Sequence, residues 1–152
     1  MFHCTMLSRK DSMVVEWETD MRTRRHTGMR ISEREFDLAV QKAIDRLPGE
    51  IKEHLDNIVI SVLPHPSSDM IDELDLDPGR ELLGLFRGVP LIERSIVTPP
   101  LYPDTIFLFQ DALERMCRTR EELEEQIEIT VVHEVAHYVG MSEERLVELG
   151  YG

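Results

Sequence analysis

The run from Thr119 to Gly140, TREELEEQIEITVVHEVAHYVG, constrains this chain more than any other stretch. Thr119 followed three residues later by Glu122 is a capping-box signature, and five glutamates in the first nine helical positions suit the positive end of a helix dipole. Gly140 supplies the stop. The spacing therefore predicts one helix over 120–139, and twenty residues at 1.5 Å rise span about 30 Å, most of the width of a small domain. Its last turns are apolar on nearly every side through Val131, Val132, Val135, Ala136 and Val139, so that end must be buried. The glutamates from Glu121 to Glu128 read as a solvated face.

Polar residues in the buried half then need a reason. At about 100° per residue, His133 and His137 lie about 40° apart in projection and one turn apart along the axis, so both imidazoles can face one point. Such a point can hold a metal ion. Glu134 stands about 100° round from His133, off the ligand direction but placed to take a proton from a water polarised by the ion, which is the HExxH arrangement of zinc peptidases. A catalytic zinc usually takes three protein ligands. Gly140 lets the backbone leave the helix with positive φ, and the turn through Met141 and Ser142 can carry Glu143 back toward the ion. The stretch thus reads HExxHxxGxxE, with His133, His137 and Glu143 as zinc ligands and Glu134 as general base. Glu144 is the alternative third ligand if the turn closes one residue later. The competing reading is a buried helix with two hydrogen-bonded core histidines; a glycine and an acid at the two later positions make a chance match rarer by about a hundredfold.

Upstream, ISEREFDLAVQKAIDRLP predicts a helix: Ser32 as N-cap with Glu35 three residues on, Phe36, Ala39, Val40, Ala43, Ile44 and Leu47 at helical spacing, and Pro48-Gly49 as its end. A short helical stretch over 50–55 leads to NIVISVLP, β-branched and strand-like. Residues 64–79, rich in Pro, Ser and Asp, read as a loop. ELLGLFRG and LIERSIV read as strands joined as a hairpin by Gly88-Val89-Pro90, followed by the Pro-rich turn TPPLYPD, a strand TIFLFQ and a short helix DALERMC. The first thirty residues show neither period. They read as a mobile N-terminal extension, with residues 31–152 as the single domain.

Charge is uneven. Residues 1–30 hold six Lys/Arg against four Asp/Glu, the remainder 11 against 26, and the chain totals −13. An acidic body of this kind is a poor partner for nucleic-acid phosphates or anionic membranes. No segment approaches the roughly 20 apolar residues of a membrane span, the N-terminus has no apolar secretory core, and Cys4 and Cys117 are too few for a disulfide scaffold. These features predict a cytoplasmic protein.

Three stretches, LLGLFRGVPLIERS, YPDTIFLFQDALERMC and ELEEQIEITVVHEVAHYVGMSEERLVELGYG, resemble the small zincin-like metallopeptidases of bacteria. The resemblance covers about 31–152 and leaves the first thirty residues unmatched. It implies an α+β, minimal zincin-like fold in which a small mixed β-sheet packs against a long active-site helix. It also implies an acid ten residues after the first histidine, which maps onto Glu143, where aspartate is the commoner residue.

The expected function is zinc-dependent hydrolysis of a peptide or protein substrate held along an edge strand of the sheet. A non-catalytic zincin-fold module that binds a protein partner is the alternative. A metal-dependent ribonuclease is a third reading, opposed by the charge and by Glu134. Tyr102, Tyr138 and Tyr151 are equal candidates for an oxyanion donor. Arg87 and Arg94 read first as structural ion pairs, second as partners of a substrate carboxylate or of Glu134 or Glu143. Cys117 reads as a buried apolar residue, and His3, His26, His54 and His65 lack ligand spacing.

Overall fold

The computed structural model describes residues 4–9, 12–18, 28–75, 80–88 and 103–152, with residues 4–9, 12–18 and Arg80 described by backbone alone. Ser32 caps α1 (Glu33–Asp45) through both halves of a capping box: its hydroxyl accepts from the Glu35 N–H, and the Glu35 carboxylate accepts from the Ser32 N–H at 3.0 Å. The face bearing Phe36, Ala39, Val40 and Ala43 is buried and packs on α5 (Arg120–Val139). Between them lie α2 (Gly49–Lys52), a 3-10 turn (Glu53–Asn57) and β3 (Ile58–Leu63), preceded in the chain by β1 (Cys4–Arg9) and β2 (Ser12–Glu18). Then follow α3 (Ser68–Leu74), β4 (Arg80–Arg87), β5 (Asp104–Phe109), α4 (Gln110–Met116), α5 and α6 (Glu143–Glu148).

The strands form one mixed sheet in the order β1-β2-β4-β5-β3. Among the described residues only β3 and β5 pair in parallel, which requires a crossover because parallel neighbours cannot be joined by a tight turn. The other three pairings are antiparallel. The long helix α5 packs across β4, β2 and β5 and also against α1. Its buried residues Leu123, Ile127, Val131, Val132 and Val135 therefore fill the space between helix layer and sheet, meeting a core that includes Phe36, Phe86 and Phe109. This is the α+β arrangement of a small mixed sheet on one long helix. No helix among the described residues is long and apolar enough to cross a membrane.

Four expectations are corrected. The N-terminal segment, read as lacking any period, contains β1 and β2. β1 pairs with β2, and β2 is held to β4 by a long-range backbone ladder, which a six- or seven-residue run scarcely advertises in its side chains. Residues 64–79, read as loop, contain α3, where Ser67 caps the Met70 N–H at 3.3 Å and only Met70 and Leu74 are buried; two apolar anchors among aspartates look like loop composition. The run 121–128 is not one solvated face. Glu124 is 7 % exposed and lies within 3.8 Å of Lys42, Arg46 and Arg120, while Glu128 pairs with Arg46 at 3.3 Å, so two of its carboxylates tie α5 to α1. Finally, the turn after Gly140 leads directly into α6. The strand read at 91–97, the connection at 89–90, and most of the turn that follows lie outside the described residues.

Cys117 is 1 % exposed, and burial pushes its thiol up to about 12. It is a core residue without thiolate character.

Candidate metal centre and general base

The helix α5 begins as its sequence dictates: the Thr119 hydroxyl accepts from the Glu122 N–H at 3.1 Å, while the Glu122 carboxylate accepts from the Arg118 N–H at 2.7 Å rather than from Thr119. It ends at Gly140, whose φ of 73° is left-handed. The Gly140 N–H donates to His137 O at 3.1 Å and the Met141 N–H to Ala136 O at 2.8 Å, the paired bonds of a Schellman stop. The chain reverses there, and Ser142 at once caps α6, accepting from the Arg145 N–H at 3.2 Å. Leu146, 1 % exposed, pins α6 to the core, and Arg145 holds it from outside through Glu50 at 2.6 Å.

His133 and His137 are half-buried on successive turns of α5. His137 is held below the ordinary histidine value, first by burial, then by the neighbouring His133, with Glu143 pulling the other way. The carboxylate of Glu143, exposed at the first position of α6, thus acts electrostatically on His137. Glu144 is occupied differently: its own backbone N–H and the Ser142 hydroxyl hold its carboxyl below the usual range. His133 places Nε2 at 2.8 Å from the carbonyl oxygen of Tyr151, and its buried Nδ1 has no hydrogen-bond partner.

Glu134 is fully buried, and Gly84 of β4 packs closely against the same part of α5. A Cβ at Gly84 would sit 2.6 Å from Thr130 Cγ2 and 3.7 Å from Glu134 Oε1. Thr130 cannot swing aside freely, because its hydroxyl donates to Gln126 O at 2.7 Å. Gly84→Ala is therefore expected to destabilise the fold by about 1–3 kcal/mol, the usual cost of overpacking, although removing a glycine from a strand would otherwise help. Thermal melts check this, and Thr130→Ser, which removes the obstructing methyl, should restore most of the loss in the double variant. A more stable Gly84→Ala would contradict the close approach of β4 to α5.

Of the remaining sequence candidates, Arg87 pairs with Glu73 at 2.5 Å, both side chains well exposed, and reaches neither Glu134 nor Glu143 through this bond. The Tyr151 hydroxyl donates to Glu128 at 2.5 Å, and burial together with that bond pushes the phenol up to about 12. Tyr138 is 2 % exposed with its ring 5.2 Å from that of Phe86. Tyr151 and Tyr138 are thus engaged in structural contacts, and Arg94 and Tyr102 lie outside the described residues. Sequence reasoning passed over Gly84, whose signal was a glycine inside a strand. It also missed the Tyr151 carbonyl, since a backbone acceptor has no signature in a sequence.

Among the described residues no three His, Cys, Asp or Glu side chains stand converged as a metal cluster. The donor chemistry nevertheless suits zinc, which takes imidazole nitrogen and carboxylate oxygen. His133 and His137 stand half-buried one turn apart, His137 is biased toward the neutral form that ligation needs, and Glu143 opens the helix that follows the Gly140 stop. A family model described as zincin-like metallopeptidase matches residues 55–152, nearly two thirds of the chain. This is shorter than the likeness over 31–152 read from motifs, and it contains all of His133, Glu134, His137 and Glu143. No curated protein matches.

Proposed function

Since the chain belongs to the zincin-like metallopeptidase family, we propose that it is a zinc-dependent peptidase in which Glu134 is the general base and His133, His137 and Glu143 would hold the metal. The observation that supports this most is the end of α5: two histidines one turn apart, a buried glutamate between them, and a glycine stop that brings Glu143 within electrostatic reach of His137. When bound, zinc supplies the Lewis acidity that polarises a carbonyl and acidifies water.

Glu134 takes the proton of the attacking water and returns it to the leaving amine, so the carboxylate ends each turnover ionised. Its burial keeps bulk water from competing for that proton. His137, pressed toward its neutral form by burial, offers a lone pair rather than a proton. An extended peptide can add to the outer strand of a sheet through main-chain hydrogen bonds. Among the described residues the outer strands are β1 and β3.

The test is a peptide library incubated with zinc-loaded protein and read by mass spectrometry. Cleavage that stops on chelation and returns with zinc is expected. Zinc bound without any cleavage would reject the peptidase and leave the binding module as the better reading.

A further inference from the structure

Glu134 is 0 % exposed, yet a general base must come within hydrogen-bond reach of the proton it takes. Some element that covers it has to move. A Cβ at Gly84 would lie 3.7 Å from Glu134 Oε1, so β4 is a strand that passes beside the base. Both edges of β4 are taken, by β5 on one side and by β2 on the other. Neighbouring strands lie about 4.8 Å apart, so a peptide added to either outer strand, β1 or β3, would run about 14 Å from β4, three strand positions away. That is too far for Glu134 to serve it. The position next to β4 is near enough, and there β2 lies, with α5 packed across both strands.

We infer that β2 holds the substrate's place: the strand Ser12–Glu18 is an internal occupant of the β4 edge, and an extended peptide must displace it to reach Glu134. This rests on the peptidase reading above. The family match begins at residue 55 and leaves β1 and β2 outside the matched unit. The ladder that holds β2 is irregular where β4 passes the base: Val15 lies opposite Gly84 but Glu16 opposite Leu82, with the register shifted between them, and such a bulge disrupts pairing locally. The chain beyond the hairpin has its own anchors. The Met29 N–H donates to Cys117 O at 3.0 Å and Gln110 Nε2 to Ile31 O at 3.3 Å, and α1 then starts from its own Ser32 cap. Release of β1 and β2 therefore leaves α1 seated, and an incoming peptide restores to β4 the main-chain hydrogen bonds that β2 gave it.

Two variants of the full chain test this, one freeing β2 and one fixing it. Consecutive strand residues present their N–H groups to opposite neighbours, so Met13→Pro/Val14→Pro removes one ladder donor from each side of β2. A binding-competent state populated to about 1–10 % lowers apparent affinity by that fraction, so this variant is expected to bind a labelled synthetic peptide of the Ser12–Glu18 sequence about 10–100-fold more tightly than wild type. Ser12→Cys/Arg87→Cys joins directly opposed residues of β2 and β4, whose Cα atoms in an antiparallel pair are about 4.5–5.5 Å apart, within disulfide range. Oxidised and zinc-loaded, it is expected neither to bind that peptide nor to cleave a peptide library, and to regain both on reduction by a phosphine. This variant decides the matter even where the prolines unfold the chain. Equal binding and cleavage in its oxidised and reduced forms would overturn the inference, as would a proline variant whose hairpin is open by hydrogen exchange but which binds no more tightly than wild type. Peptide bound on release of β2 with nothing cleaved would instead reject the peptidase reading and leave β2 as the occupant of the β4 edge, so the two failures are distinguishable.

Discussion

Replacing Glu134 with glutamine is expected to lower peptide hydrolysis by about 10²–10⁴-fold, the range attributable to a positioned general base, while zinc binding and the fold survive. Glutamine keeps the shape of the side chain and removes only the charge and the basicity. Because the amide has the shape of the carboxylate it replaces at a fully buried position, the variant should fold and melt near the wild-type temperature. Stability and activity are thus expected to part company at this one residue, as at a site kept for chemistry rather than for packing. The measurement is paired: cleavage rate on a peptide substrate, and a thermal melt on the same preparation. A variant with wild-type turnover would remove Glu134 from the mechanism, and one that unfolds would place it among the structural groups.

The second large effect concerns the ligands. Wild-type protein should carry about one zinc per chain, and His137→Ala should weaken binding by more than the roughly 100-fold limit typical of residues that merely support a ligand. Glu143→Ala is expected to fall nearly as far. Glu144→Ala should leave affinity unchanged, because that carboxylate is already committed to Ser142 and to its own backbone at the start of α6. Elemental analysis and competition with a chelator read these differences directly. Loss of zinc in Glu144→Ala with retention in Glu143→Ala would exchange the two acids and require α6 to begin later than Glu143. His137 also reports on proton competition: ligation needs the neutral ring, and burial already depresses its protonation.

Much of the candidate site is local, and the sequence carries local information well. The periodicity of α1, its Ser32 cap and the bounds of α5 from Arg120 to Val139 follow from side chains within a few positions of one another. The same is true of the left-handed stop at Gly140. His133, Glu134 and His137 fall on one helix, so their relative directions were set by 3.6 residues per turn before any fold was considered. Even the burial of that helix end could be read from its valines, and β3, β4 and β5 from their β-branched and apolar runs.

What the residues could not announce is long-range. The capture of β2 by β4 and the crossover that sets β3 beside β5 depend on pairings between distant segments, and a strand's own residues do not say which neighbour it will meet. Two of the glutamates that seemed merely solvated are drawn to Lys42 and Arg46 only because α1 lies against α5. Gly84 gains its meaning from Thr130 and Glu134, some fifty residues away, and Tyr151 from a carbonyl that any residue possesses. By itself the sequence determined the helix, its two stops and the HExxH spacing on it, since these follow from short-range geometry and side-chain chemistry. Tertiary structure alone decided how deeply Glu134 is buried, which acid acts on His137 and which nitrogen of His133 is left open, because each depends on where a separate element comes to rest.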